Sequence, residues 1–452
     1  MRQLDNMNTR SLHTRMTSDR PFSPRTFPFF YGWIILGAGS LGMLMSIPGQ
    51  TVGVSVFTDH LIQALGLSRN TISIAYLLGT IGSAFMLAAA GRSYDRYGAR
   101  VLSITVSILL GCTLIYLAAV DSFASFIILL LRIDSSALMT GVSFSAITFG
   151  FFAIRFLGQG TLTMASRNMV MKWFEKRRGM VNAVLGITIS LGFSAAPRFL
   201  DLLIGNCGWR GAWRLIALGL FIFSVLAYLF YRDNPQSSGL KPDGAFSGKP
   251  HRLQHRETIA GKDFSLVEAR RTFSFWFFNL MLALSALLVT AFTFHVISIF
   301  EESGLTRSMA VNIFLPASII AVSTQFAGSW ISDYIQLKYI GLVQLFGIIV
   351  QSLGILLLSP DSGYLLLIFG LGITQGMMGI TSNITWPRFY GIKHLGAISG
   401  YAMAWTVAGS AVGPYVFSLS LDLLGSYASG ALVCVFFGVI GFFAAFFVKK
   451  PA

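Results

Sequence analysis

Twelve long apolar stretches constrain this chain more than any other feature. They lie near residues 30–57, 71–90, 101–120, 146–171, 179–203, 212–231, 274–299, 309–331, 339–358, 363–387, 396–421 and 427–448. A helix needs roughly 20 mostly apolar residues to cross a bilayer. Strands of a membrane barrel would be about half that length and would alternate apolar with polar residues; these runs do not alternate. The fold expected is an all-α polytopic membrane protein with twelve transmembrane helices, spans one to twelve. Composition points the same way. Of 452 residues, 54% are hydrophobic and 11% charged, whereas soluble domains carry about 25% charged residues. The 40 Phe, 46 Gly and 3 Cys exclude a disordered chain, a collagen and a disulfide scaffold.

A net charge of +15 fits either nucleic acid or a membrane, and position decides. With the N-terminus inside and twelve alternating spans, 25 of the 33 Lys and Arg fall on inner segments. Five fall on outer segments (Arg69, Arg132, Arg210, Arg214, Arg307) and three within spans (Arg155, Arg167, Arg198). This is the positive-inside bias. It leads us to expect both termini in the cytoplasm, the cell (inner) membrane as location, the bilayer as partner and no nucleic acid. Cys112, Cys207 and Cys434 lie in or near apolar spans without metal-ligand spacing and read as small core residues; no metal or cofactor is expected. The N-terminal segment 1–28 holds five Arg and no cleavage-like feature, so it reads as a solvated tail rather than a transit segment.

Residues 232–272 are the only long polar stretch after the tail, and they split the spans six and six. The halves repeat. Gly66–Arg69 (GLSR) follows span one and Gly304–Arg307 (GLTR) follows span seven. The spacing from Arg69 to Asp95 is identical to that from Arg307 to Asp333. Gln159-Gly160 in span four matches Gln375-Gly376 in span ten, and Gly192 and Gly409 each stand five positions before a proline. One gap differs: Asp95 to Gln159 is much longer than Asp333 to Gln375. The first half therefore carries about 22 extra residues, expected near 132–149. The layout is a tail (1–28), a six-helix bundle (29–231), a cytoplasmic linker (232–272) and a second six-helix bundle (273–452). Parallel repeats with a midplane site are a recurrent transporter plan.

The loop after span two runs Gly91-Arg-Ser-Tyr-Asp95-Arg96-Tyr-Gly98-Ala-Arg100. It resembles the signature loop of the major facilitator superfamily, G-x-x-x-D-R-x-G-x-[RK]. The resemblance implies two parallel six-helix repeats and a gating role for Gly91, Asp95, Arg96, Gly98 and Arg100, with Asp333 the counterpart in a degraded second copy. A simple positive-inside loop explains the arginines but neither Asp95 nor the glycines. Tyr31–Trp33 (YGW), Pro48–Thr51 (PGQT), Trp173–Gly186 (WFEKRRGMVNAVLG) and Asn234–Gly244 (NPQSSGLKPDG) are similar to the monocarboxylate and oxalate–formate branch. That implies small organic anions carried with a proton or by exchange. Yet the branch's anion-binding cations in spans one, eight and eleven are missing: Gly49-Gln50, Ser323–Gly328 and the region of Trp405 and Gly409 are uncharged.

Ionisable residues inside membrane helices are costly and usually functional. Arg155 lies in span four with Gln159 one turn on, and Arg198 lies in span five. Their repeat partners are Leu371 and Tyr415, so these charges are not shared scaffold. Arg198 has alternatives: pairing with Asp201 or snorkelling to the surface. Arg167 reads as a snorkelling rim residue. His295, near the outer end of span seven, reads either as a proton relay or as a hydrogen-bonded packing residue. Gln159 and Gln375 donate either to a carboxylate or between helices. The candidate substrate contacts are thus Arg155, Gln159, Arg198, His295 and Gln375, in a cavity expected from spans one, four, five, seven, eight, ten and eleven. No span centre carries Asp or Glu, which disfavours a cation exporter. No phosphate-loop motif appears. The leading reading is a monomeric secondary transporter of a small organic anion, a carboxylate, proton-coupled or exchanging, working by alternating access. The competing readings are an exporter of neutral or amphipathic compounds, and a membrane-embedded enzyme or sensor. The last is disfavoured because the six histidines are scattered.

Overall fold

The computed structural model describes residues 20–243 and 262–451. Residues 1–19 of the tail and 244–261 of the linker, with Ala452, lie outside the described residues. Among the described residues the regular structure is all helical. Ten helices are long and apolar enough to cross a bilayer. Two of them, Arg69–Leu117 and Arg178–Phe230, are interrupted at Gly98 (φ 83°) and Gly208 (φ 69°). Each therefore supplies two spans, and the total is twelve.

The repeated tetrapeptides have a local physical cause. Gly66 (φ 61°) and Gly304 (φ 71°) end the helices before them in the left-handed region that favours glycine. Leu67 and Leu305 then donate back to the carbonyls of Ile62 (3.3 Å) and Phe300 (2.8 Å). Two positions past each glycine a hydroxyl caps the next helix: Ser68 accepts from the Thr71 amide (3.1 Å) and Thr306 from the Met309 amide (3.3 Å). GLSR and GLTR are the same stop-and-start signal written twice.

The repeats then diverge. Span one is broken into Gly32–Leu44, a tight turn Ile47–Gly49 containing Pro48, and the short helices Thr51–Ser55 and Thr58–Leu65. Proline lacks the amide that an unbroken helix would need there. Span seven, with Ala286 at the matching position, is one helix, Phe273–Glu302. Span four comprises Ser136–Ile154, a π-helical segment Arg155–Leu162, and Thr163–Trp173. Its counterpart, span ten, is the regular helix Ser362–Tyr390. The extra length of the first repeat is carried by a short helix, Val120–Leu130, and by the first turns of span four from Ser136 onward. It thus begins upstream of the 132–149 window.

The chain divides into two compact units, 1–176 with 191–250 and 177–190 with 251–452. The helix Arg178–Phe230 begins in the second unit and continues into the first. In the first unit the Thr163–Trp173 part of span four packs on Gly32–Leu44 of span one and on the Arg69–Leu117 helix. In the second, span nine packs on span ten, eleven on seven and eight on ten. An aromatic cluster of Phe275, Phe278, Trp386, Phe389 and Tyr390 closes its core.

Candidate functional site

The break in span one and the π-helical segment of span four lie against each other. A Cβ added to Gly49 would sit 2.3 Å from the Ile154 carbonyl oxygen and 2.9 Å from Gly158 Cα, so only glycine allows the approach. π-helical segments occur frequently at functional sites, and irregular backbone at membrane depth is tolerated only inside protein or along a cavity.

Arg155 opens the π segment and is 2% exposed. Its Nη1 donates to the Gly49 carbonyl (3.1 Å) and to Thr51 Oγ1 (3.3 Å). The guanidinium lies 5.2 Å from the centroid of the Tyr76 ring, and the Tyr76 and Thr51 hydroxyls are 3.0 Å apart. Nε is buried without a partner. All these partners are neutral; among the described residues no carboxylate pairs with Arg155. A buried cation without a counter-charge is strongly unfavourable, and ring and carbonyl contacts compensate it only in part. Gln159 is half-buried, with a buried Oε1 that has no partner. Gln50, next to Gly49, donates to Ser46 Oγ (3.1 Å) and Thr163 Oγ1 (3.3 Å).

The other sequence-predicted contacts are not drawn into this cluster. Arg198 is exposed and, among the described residues, forms neither an ion pair with Asp201 nor a bond to the Arg155 cluster. Gln375, in the second unit, is half-buried with no hydrogen bond in the described residues. His295 is engaged on both ring nitrogens: Nε2 lies 2.9 Å from the Pro414 carbonyl and Nδ1 3.3 Å from the Tyr427 hydroxyl. A carbonyl only accepts, so Nε2 donates to Pro414, and the ring is held between spans seven, eleven and twelve.

The signature loop forms a turn fixed from an unpredicted direction. Gly91 is buried, Asp95 half-buried, and Arg96 exposed over the ring of Tyr97 at 5.2 Å. Gly98 makes the turn; a Cβ there would strike the Asp233 carboxylate at 2.2 Å. Asp233 accepts from the Arg100 amide (3.0 Å) and from the Ala99 amide. Burial raises its carboxyl above the usual range, opposed by those amides and by Lys172 and Arg100. The Arg100 guanidinium donates to the carbonyls of Arg20 (2.7 Å) and Tyr228. Asp233 is not among the residues that sequence reasoning singles out. The available signal is a lone acid directly after span six, where the second repeat ends in Lys449-Lys450.

Asp333 sits at the C-terminal end of Phe314–Ser332 in the second unit. Its Oδ1 accepts from the Gly179 amide (3.1 Å) and from Arg388 Nη2 (3.2 Å), and its carboxylate also accepts from the Met180 amide. Arg388, 2% exposed, donates further to the Ser332 carbonyl (2.6 Å). Beside it, Asn182 donates to Ser329 Oγ (2.9 Å), and Asn383 donates to Asn182 Oδ1 (2.5 Å). Gly179, Met180 and Asn182 come from the first sequence half, so this network ties the start of span five to spans eight and ten. Burial raises the Asp333 carboxyl to about 6, against the pull of Arg388 and the two amides. Gly179 and Asn182 lie within the quoted WFEKRRGMVNAVLG stretch, but their partner Arg388 reads in the sequence only as a loop cation.

The comparisons with known proteins agree with this architecture. No curated protein sequence matches the chain. Similar solved structures include the transporter FucP in the outward conformation, 15% identical over 93% of this chain and 100% of that one, with a TM-score of 0.64. The human organic anion transporter MFSD10 is 15% identical over 92% and 99%, with a TM-score of 0.61. The proton:xylose symporter XylE, bound to 6-bromo-6-deoxy-D-glucose, is 15% identical over 92% and 95%, with a TM-score of 0.60. At that identity the likeness speaks for the fold alone. A sequence model of the Major Facilitator Superfamily matches residues 34–414. With twelve membrane-spanning helices and that match over most of its length, the chain belongs to the major facilitator superfamily and is an integral membrane transporter.

Proposed function

We propose that this transporter moves a small organic anion, a carboxylate, by alternating access, coupled to protons or by exchange, as a monomer in the inner membrane with both termini cytoplasmic. It falls, in this reading, within the monocarboxylate and oxalate–formate branch, as two six-helix bundles (29–231 and 273–452) joined by the 232–272 linker. The observation that carries the proposal is Arg155: a guanidinium 2% exposed, held by a carbonyl, a hydroxyl and an aromatic ring, with Nε unbonded and no carboxylate partner among the described residues. A substrate carboxylate supplies the missing charge and can accept two parallel bonds from the fork. A neutral substrate leaves the cation uncompensated. Gln159, with an unbonded amide oxygen one turn on, and the Thr51 and Tyr76 hydroxyls supply neutral contacts to the rest of the ligand.

The inner gate in this reading has two parts. Gly91, Asp95, Arg96, Gly98 and Arg100 form the first, its turn braced by Asp233. Asp333 forms the second, latching the start of span five through the amides of Gly179 and Met180. Breaking and remaking such a contact is one way for a bundle to alternate.

Purified protein in liposomes, offered formate, acetate, lactate, pyruvate and oxalate, provides the test. The wild type should accumulate at least one of them. Arg155→Gln should abolish that uptake while its melting and gel-filtration profiles stay close to wild type. Wild-type uptake by Arg155→Gln removes Arg155 from the site.

A further inference from the structure

Span four holds a second buried cation that this reading leaves unused. From sequence, Arg167 reads as a snorkelling rim residue. In the structure it is 8% exposed and sits in Thr163–Trp173, where every residue except Lys172 is buried. Its neighbours are engaged: Ser166 Oγ lies 2.8 Å from the Tyr231 hydroxyl, and Lys172 lies over the Tyr94 ring at 4.6 Å. Arg167 itself makes no hydrogen bond, ion pair or ring contact among the described residues. None of its nitrogens is among the fully enclosed atoms, as Arg155 Nε is, so the guanidinium reaches the small open surface that the side chain keeps. A charge more than nine-tenths buried and without a partner among the described residues is expensive, and an anion would relieve it.

The π-helical segment aligns the two cations. In an unbroken α-helix, residues twelve apart are rotated by about 120° and face different ways. Between Arg155 and Leu162 the helix takes the wider i→i+5 winding; side-chain bonds from Thr161 to the Phe156 carbonyl (2.8 Å) and from Thr163 to the Gly158 carbonyl (3.2 Å) span five positions. One extra residue in the turn sets the following face back by about 100° and leaves Arg155 and Arg167 within roughly 20° of each other. They stand roughly 18 Å apart along the axis at about 1.5 Å per residue. Gln159 and Thr163 fall between them at intervals of four. The repeat counterpart of Arg167 is Asn383, whose amide is taken up by Asn182, so the charge is not scaffold common to both halves.

We infer that Arg167 is a second anion station, which receives the substrate carboxylate after Arg155 on its way toward the Trp173 end of span four. This rests on the anion reading. The two stations divide the work: Arg155 sets capture, and Arg167 sets the rate at which the anion is passed on.

The experiment compares wild type, Arg155→Gln, Arg167→Gln and Arg167→Lys in liposomes, with the carboxylate of the five-member panel that gives the highest wild-type flux. Equilibrium binding and initial uptake rates are both measured. Arg167→Gln should bind the probe as wild type does but lose about tenfold or more of its maximal rate, the pattern of an interaction not made in the initial complex. Arg167→Lys should recover part of the rate. Wild-type rates in Arg167→Gln, with Arg155→Gln inactive, overturn the second station alone. Wild-type rates in both variants, or no anion flux in the wild type, overturn the anion reading and the station with it. Should Arg167→Gln not fold, Arg167→Cys in a Cys112→Ser, Cys207→Ser background replaces it. Modification with a cationic thiol reagent should then restore flux and an anionic one should not; equal flux after both overturns the inference.

Discussion

Asp333 gives the most quantitative prediction, because its environment links the proposed latch to pH. Burial raises its carboxyl from 3.8 to about 6 in the latched structure, although Arg388 and two amides favour the ion. The side chain is 13% exposed, so solvent screens the effect little. A rise of about 2 in pKa, at about 1.4 kcal/mol for each unit, corresponds to roughly 3 kcal/mol, a factor of about 100 in the latch equilibrium. The sign follows from linkage. The group binds its proton more tightly when latched than when solvated, so its contribution to the latch is complete below pH 3.8 and is lost as pH rises through about 6. The latch should therefore open more readily at pH 7.5 than at pH 5. Ser332, fully buried next to Asp333, offers a reporter. With Cys112 and Cys207 replaced by serine, Ser332→Cys should react with maleimide at a rate set by latch opening. Adding Asp333→Asn, which cannot ionise, removes the linked component while the intrinsic thiol chemistry stays the same. The rate ratio between pH 7.5 and pH 5 should fall by about tenfold in the Asn variant, the part of the linked effect that lies between those two values. Identical pH profiles with and without Asp333→Asn would refute the linkage.

Three further outcomes follow from the same geometry. Gly49→Ala pushes a methyl against the backbone of span four at 2.3 Å, so it should cost about 1–3 kcal/mol in thermal melting and raise the apparent KM, because the Arg155 bond to the Gly49 carbonyl must stretch. Asp233→Ala strips the Ala99 and Arg100 amides of their acceptor and should cost about 1–3 kcal/mol, read by denaturant unfolding, with uptake reduced only as far as folded protein is lost. His295→Ala removes two hydrogen bonds worth about 1–2 kcal/mol together but should leave the pH profile of uptake unchanged; a flattened profile would reinstate a proton-relay role.

Much of the architecture was legible because bilayer physics writes long, unmistakable signals. A span needs about 20 apolar residues, and Gly-then-hydroxyl pairs such as Gly66/Ser68 and Gly304/Thr306 stop one helix and cap the next. Arg155 and Gln159 stand out in the sequence because charge and amide groups are rare in such runs, and the structure places both in the π-helical segment. What stayed hidden depends on contacts between distant segments. Asp233 braces Gly98 from four spans further along the chain, and Arg388 meets Asp333 from another span; no periodicity encodes either. Thr51 and Tyr76 were invisible for the same reason, since a hydroxyl and a ring acquire meaning only beside Arg155. His295 shows the converse: a conspicuous residue type whose two nitrogens are both occupied by packing partners.

The differences between the repeats carry the functional argument further than their likeness does. Where span one breaks at Pro48, span seven runs through Ala286 unbroken; where span four widens into a π turn, span ten stays α-helical. The first repeat gave up regular backbone hydrogen bonding at two facing points, and each concession costs stability in a bilayer. Arg155 stands at that junction, where its second-half counterpart is Leu371. The second repeat kept its helices regular and holds the buried Asp333–Arg388 pair at positions that match Asp95 and Lys172 of the first repeat. A duplicated scaffold with identical tasks in both halves would have no reason to retain such asymmetry. The distribution fits a division of labour in which the first repeat meets the ligand and the second holds the latch. Transplanting Leu371→Arg into the second repeat should therefore not create a second functional site. The new cation would enter a fully buried helix position with neither a π turn nor a broken partner span to accommodate it, and loss of folded protein is the outcome expected in thermal melting.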